Sequence, residues 1–315
     1  MNIAAIDIGS NAIRLVIATQ TKNRSHKVLH KYRAPVRLGA DVFNQGKISK
    51  EHLAQLIQTF KIFQKLLLKH HVQNYFAAAT SAFREASNRI FIIDQIFKKT
   101  NIKIQLIDGF QEAKYIFSAV QSNINLLPHN ALLIDIGGGS VELTFAFKGK
   151  PIATKSFSLG TVRLIETLKR NKLKESDLPF LLVDAIPQIQ SFLSAHRSKN
   201  FPPLCLIGTG GNVEAMGKLK LKLLGKKPSS PLTLSELNQL ILLIRKVPLR
   251  QRPVKLDIRR DRADVILPAM MIIKLLMLQT HSPKLVIPYV GLKDGLLNSL
   301  NQKISATLER SSLLI

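Results

Sequence analysis

The same short pattern occurs twice in this chain, and that repetition limits what the chain can fold into more than any other feature. Ile6-Asp7-Ile8-Gly9-Ser10-Asn11 is echoed by Ile134-Asp135-Ile136-Gly137-Gly138-Gly139-Ser140. In each copy an apolar run leads to an Asp, a glycine-containing turn follows, and a second apolar run carries a charged residue. That residue stands seven positions after the Asp: Arg14 in the first copy, Glu142 in the second. Short apolar runs bounded by Gly, Ser and Asn are hairpin signals, so each copy reads as strand, tight turn, strand. Two hairpins can share a turn by chance, but Asp, Gly and a charged residue in register make chance a poor account. The repeat implies two related half-molecules, each offering a glycine-rich turn, with a cleft between them.

The remaining pattern fits two α/β halves. Residues 51–70 place apolar side chains at helical spacing, Tyr75 to Ala79 reads as a buried strand entering the polar corner Thr80-Ser81, and Ile102 to Ile107 reads as a strand ended by Asp108-Gly109. A helix is expected from Gln111 to about Val120. The second half adds a strand, Leu204 to Ile207, the loop Gly208-Thr209-Gly210-Gly211, and several long helices. At 315 residues the chain exceeds the ~250 at which single cores stop growing. The polar stretch from Gln121 to His129, with Asn123, Asn125 and Pro128, suggests domains at 1–122 and 123–315, the last helix (about 297–312) packing back on the first.

Composition narrows the partners. Lys and Arg number 46 against 20 Asp and Glu, a formal net charge of +26, while 46% of residues are hydrophobic. A chain this apolar buries a core and is no disordered basic tail. The excess charge points to polyanions: nucleic acid, anionic lipid or chains of phosphate. The basic clusters lie at Lys218 to Lys227 and Arg245 to Arg262. The longest apolar stretch, Val265 to Leu278, is interrupted by Pro268 and Lys274 and falls short of the ~20 residues a membrane span needs. The N-terminus lacks a basic segment and a cleavage site, so a soluble cytoplasmic protein is expected. The single thiol, Cys205, excludes a disulfide framework and a multi-cysteine zinc site, and reads as a core residue. The histidines, among them His30, His70-His71, His129, His196 and His281, form no convincing metal pair.

Glycine in the paired turns removes Cβ and lets backbone N–H groups approach an anion, with Ser10, Asn11 and Ser140 adding side-chain donors. One such turn alone is an ordinary hairpin; the matched pair favours phosphate. The turns join strands, and no Gly-Lys-Ser/Thr element follows, so neither is a Walker loop. An Asp at the end of a buried strand is costly unless paired or bound to a cation. Asp135 and Glu142 suit Mg²⁺ with phosphate oxygens, whereas Asp7 is as readily explained by turn amides. Glu112, in the first turn of its helix, reads on its own as a helix-dipole contact. Arg84 reads as either a surface residue or a phosphate fork.

Together the motifs resemble the exopolyphosphatase and guanosine pentaphosphate phosphohydrolase family of the actin-like superfamily. The matching pieces are Asp7 to Asn11 with Arg14, Thr80-Ser81-Ala82-Phe83-Arg84-Glu85-Ala86, Gly109-Phe110-Gln111-Glu112-Ala113, and Asp135 to Glu142. Further along are Leu159-Gly160-Thr161-Val162-Arg163-Leu164, Gly208 to Gly211, Arg262-Ala263-Asp264, and Gly291-Leu292-Lys293-Asp294-Gly295. The resemblance implies two actin-like (ribonuclease H-like) domains with mixed sheets, in the short form lacking the further C-terminal helical domain of longer members. It implies Glu112 as the catalytic base and Asp135 and Glu142 as ligands of Mg²⁺ or another divalent cation. The phosphate-binding set comprises Gly9, Ser10, Asn11, Arg14, Arg84, Gly137, Gly138, Gly139, Ser140, Gly208 and Gly210. Gln111 departs from the family pattern, where many members carry a second acid.

The expected activity is release of orthophosphate from the ends of polyphosphate, with guanosine pentaphosphate as the rival substrate. A superfamily alternative is an ATP-dependent kinase or ATPase using Gly208 to Gly211 against a nucleotide. A reading of another class is a non-catalytic binder of nucleic acid or alarmones through Arg245 to Arg262; aromatics are only 6%, which ranks it lower. Incidental nucleic-acid contact and a homodimer are compatible with the sequence; a membrane partner is not expected.

Overall fold

The computed structural model describes residues 1–21, 26–127, 130–196 and 204–312, with the side chains of 305–312 set aside. Pro128 and His129, at the expected boundary, lie outside the described residues. The chain divides into two compact units, one made of Met1–Ala119 with Leu292–Ile315 and the other of Val120–Gly291.

The first unit is built on a five-stranded mixed sheet. Its strands are β1 (Asn2–Ile8), β2 (Ile13–Gln20), β3 (His26–Ala34), β4 (Val72–Ala79) and β5 (Ile104–Leu106), in the order β3-β2-β1-β4-β5. The hairpin partners β1, β2 and β3 run antiparallel; β4 pairs parallel to β1, and β5 parallel to β4. β1 is buried from Ile3 onward, as a central strand covered on both faces must be. The edge strand β3 carries His26, Lys27, His30, Lys31 and Arg33, and such charges discourage pairing with another chain.

The helix Lys50–Lys69 starts where the Ser49 hydroxyl accepts the His52 N–H at 3.1 Å. It turns Leu56, Phe60, Phe63 and Leu67 inward at helical spacing, against a core that includes Ile6, Ile8, Leu15 and Phe83. The helix Leu292–Ser312 belongs to this unit, and its close seat is visible at Gly295. A Cβ there would stand 1.9 Å from the Tyr115 carbonyl oxygen.

The second unit repeats the plan with six strands: β6 (Asn130–Ile136), β7 (Val141–Phe147), β8 (Lys150–Phe157), β9 (Cys205–Thr209), β10 (Leu232–Thr233) and β11 (Lys284–Val286). The order is β10-β11-β9-β6-β7-β8. β6, β7 and β8 form an antiparallel meander and β9 pairs parallel to β6, as β1, β2, β3 and β4 do in the first unit. The fold class read from the sequence holds in this form: α/β, with two mixed sheets flanked by helices. The echo of sequence is an echo of topology.

Two elements differ from the sequence reading. Gly208 and Thr209 are the end of strand β9, and the helix Gly211–Leu224 starts immediately after Gly210. The expected four-residue loop is therefore one residue, Gly210, at φ +93°, where a side chain is strained. The strand expected over Ile102 to Ile107 is only Ile104–Leu106.

Candidate active site

In the first unit, the turn after β1 is closed by the Gly9 N–H, which donates to the Ala12 carbonyl at 3.2 Å. The register sets Asp7 directly opposite Arg14, and the Arg14 Nη1 donates to Asp7 Oδ2 at 2.6 Å. The turn is tied to the corner after β4, where the Ser10 and Ser81 hydroxyls lie 3.1 Å apart. From that corner the short helix Ser81–Glu85 presents Arg84. Its Nη1 donates to Glu112 Oε2 at 2.9 Å and to the Ile107 carbonyl at 3.0 Å. Glu112 is 6% exposed. The fold thus joins Arg84 to Glu112, and Ser10 to Ser81, from segments far apart in sequence.

The helix bearing Glu112, Gly109–Gln121, begins with a reciprocal cap. The Gln111 N–H donates to Asp108 Oδ1 at 2.7 Å, and the Asp108 N–H donates to Gln111 Oε1 at 3.1 Å. This is the geometry of a capping box, in which Gln serves as well as Glu. The departure at Gln111 therefore has a local explanation: the side chain fixes the first helical turn, and with it the position of Glu112.

In the second unit the matching turn is closed by the Gly137 N–H, which donates to the Ser140 carbonyl at 3.0 Å. The segment Leu159 to Arg163 backs the glycine triplet. The N–H groups of Gly160, Thr161 and Val162 donate to the carbonyls of Gly139, Gly137 and Gly138 at 3.2, 3.1 and 2.8 Å. Arg163 Nε adds a bond to the Gly139 carbonyl at 2.9 Å. A Cβ on Gly160 would stand 2.2 Å from Gly139, so these backbones touch.

Here the register sets Asp135 opposite Glu142, two carboxylates where the first unit has an ion pair. Both are buried, at 9% and 2% exposure. Like charges directly opposite on adjacent strands repel, so the arrangement needs positive charge or strong donors. Hydroxyl groups supply part of this: Ser140 and Ser156 both donate to Glu142 Oε1, at 2.7 and 2.8 Å, and Thr209 donates to Asp135 Oδ1 at 2.5 Å. Gly210 lies against the same group, its Cβ position 3.3 Å from Asp135 Oδ1 and 2.8 Å from the Ile136 carbonyl. Gly208 has a packing reason for lacking a side chain: a Cβ would meet Val213 at 2.9 Å and Leu285 at 3.1 Å.

Thr209 and Ser156 had no assigned role in the sequence. Thr209 was visible only as a member of a glycine-rich run. Ser156 faces Glu142 across β7 and β8, a pairing that requires the strand β8, which the sequence pattern did not announce.

The profile of the Ppx/GppA phosphatase family matches residues 16–304. The chain belongs to this family. Among Ppx/GppA relatives, it is 29% identical over 289 residues to the bifunctional 3-dehydroquinate synthase/phosphatase of Fusobacterium nucleatum, covering 86% of this chain and 42% of the relative. The chain thus spans under half the length of that relative. It is 26% identical over 279 residues to exopolyphosphatase 1 of Mycobacterium leprae, covering 84% of this chain and 79% of the relative. The crystal structure of an exopolyphosphatase from Cytophaga hutchinsonii superposes with a TM-score of 0.86 at 26% identity, covering 96% of this chain and 98% of that one. The resemblance read from the motifs is therefore borne out at the level of family and fold.

Proposed function

We propose that the chain hydrolyses terminal phosphoanhydride bonds of inorganic polyphosphate and releases orthophosphate. The observation that carries this reading is the facing pair Asp135 and Glu142, buried at the mouth of the glycine turn in a Ppx/GppA family member. Two hard oxygen donors that repel one another fit Mg²⁺ or another hard divalent cation, which also prefers phosphate oxygens as its remaining ligands. Such an ion supplies neutralisation of charge on the phosphoryl oxygens.

The protein's own residues do the rest. Thr209, Ser140 and Ser156 hold the two carboxylates by hydroxyl donors. The turns Gly9 to Asn11 and Gly137 to Ser140 offer amide and hydroxyl donors to phosphate. Glu112 orients the attacking water and accepts its proton. Arg84 holds Glu112 in place through the 2.9 Å contact. In-line attack then expels the shortened chain, and stabilisation of the transferred phosphoryl group comes from fixed donors.

Guanosine pentaphosphate presents the same anhydride and is the second candidate substrate. A single panel tests the reading: phosphate release from polyphosphate of several lengths, guanosine pentaphosphate and ATP, with and without Mg²⁺. Turnover of polyphosphate only with a divalent cation supports it. Hydrolysis of guanosine pentaphosphate alone transfers the reading to that substrate. No release from any of them, with salt-sensitive binding of duplex DNA, supports a non-catalytic binder instead. The reading also sets the enzyme in the cytoplasm and allows a homodimer, which fractionation and sedimentation test directly.

A further inference from the structure

The stretch from Arg245 to Arg260 carries seven cations and one carboxylate, Asp257. It connects the helix Leu234–Arg245 to the helix Ile266–Gln279 in the second unit and contains only short helical turns. Six of the cations, Arg245, Lys246, Arg250, Lys255, Arg259 and Arg260, are exposed. None of these six has a side-chain hydrogen bond or ion pair among the described residues. Some cations elsewhere are paired, as in Arg14 with Asp7, Arg84 with Glu112 and Lys226 with Glu236; what sets this stretch apart is that six exposed ones fall within sixteen residues.

The seventh cation does the opposite. Arg252 is 2% exposed. Its Nη1 and Nη2 grip Glu175 at 2.6 and 2.5 Å, and Nε and Nη1 donate to the carbonyls of Val247 and Ala263 at 3.2 and 3.1 Å. It therefore ties both ends of the segment to one buried point. Unpaired like charges crowded together cost self-repulsion, and a bidentate buried anchor holds them in that arrangement.

We infer that this ribbon is a docking surface for a linear phosphate chain, long-chain polyphosphate, built from residues other than those proposed for the cleavage itself. This rests on the function proposed above and deepens it. The six cations match a repeating anion. The stretch holds no aromatic residue, so it lacks the stacking platform by which single-stranded nucleic acid is held. Duplex nucleic acid is the competing occupant, and the test includes it.

The experiment uses the full chain in which Arg245, Lys246, Arg259 and Arg260 are all changed to Gln. A control variant removes the same charge at Lys148, Lys150, Arg170 and Lys172, exposed elsewhere on the same unit. Binding of long-chain polyphosphate, tripolyphosphate and duplex DNA is measured in EDTA over a salt series, with melting temperature as the check on folding. The ribbon variant is expected to bind long chains at least tenfold more weakly. Its salt slope is expected to be shallower by ~0.7 for each phosphate the ribbon no longer neutralises, as for a single-stranded polyanion. Tripolyphosphate binding stays unchanged, and the control variant behaves as wild type.

Equal losses in ribbon and control variants, or an unchanged affinity and slope for long chains, would overturn the inference. So would loss of duplex DNA binding with polyphosphate binding intact. If wild type binds long chains through the ribbon yet releases no phosphate from them, the surface stands and the hydrolase reading fails.

Discussion

Asp135 and Glu142 are cross-strand partners, at the register positions in the second sheet that Asp7 and Arg14 hold in the first. The duplicated hairpin has kept its geometry and exchanged one sign. In the first unit the facing residues form an ion pair; in the second both are carboxylates. That difference yields the first prediction.

Glu142→Gln removes one of the facing charges but keeps the acceptor used by Ser140 and Ser156. Without divalent cations the variant is expected to melt at or above the wild-type temperature. Mg²⁺ raises the melting temperature of wild type and leaves that of the variant unmoved, because only a folded state that binds the ion is stabilised by it. Phosphate release falls at least ~100-fold.

Glu112→Gln keeps shape and removes the proposed base. Phosphate release is expected to drop by ~10²–10⁴, while polyphosphate affinity stays within about twofold. Unchanged turnover in this variant removes Glu112 from the mechanism.

Thr209→Val keeps volume and deletes the donor to Asp135, whereas Thr209→Ser keeps it. An outer-shell donor of this kind affects metal affinity by ~10–100-fold. Mn²⁺ titration followed by electron paramagnetic resonance is expected to show such a loss in Thr209→Val and near-complete retention in Thr209→Ser.

The Arg252–Glu175 pair is asymmetric: the Arg side chain is 2% exposed and the Glu side chain 31%. Glu175→Ala strands a buried guanidinium and is expected to cost about 3 kcal/mol or more in urea unfolding. Arg252→Met, which removes the buried charge and leaves Glu175 close to water, is the milder change.

Glu236 supplies a pH signature. Burial raises its carboxyl pKa, but the Thr233 N–H at 2.9 Å and the ammonium groups of Lys226 and Lys220 outweigh that, and the net shift is below the ordinary 4.5. A depressed folded-state value means stability that is fully present above the unfolded value and lost as pH falls through the folded one. The stability gap between wild type and Glu236→Gln is therefore expected to be full at pH 7 and to shrink below about pH 4.

Much of this was legible because the informative residues cluster in short local patterns. The paired turns, Asp135 with Glu142, and Glu112 at a helix start all stand within a few residues of glycines that mark them. What was not legible depends on partners distant in sequence. Arg84 reaches Glu112 only once β4 and β5 lie side by side, and Ser156 reaches Glu142 only through β8, whose charged, exposed pattern hid it among loops. Gln111 looked like a lost acid and is a helix cap. Gly208 looked like part of a phosphate loop and is a close-packed strand residue.

The close approach of Gly160 to Gly139 has a consequence for how tightly the second turn can hold a ligand. With the three glycine carbonyls already engaged by the following segment, the turn is stiff before anything arrives, although glycine triplets are the most mobile of sequences in an unfolded chain. The entropy of immobilising it is lost once, during folding, and not again at each encounter. A methyl group at position 160 would reverse that order, leaving a chain with every charged group in place and a turn that would have to be frozen anew for each phosphate it is proposed to bind.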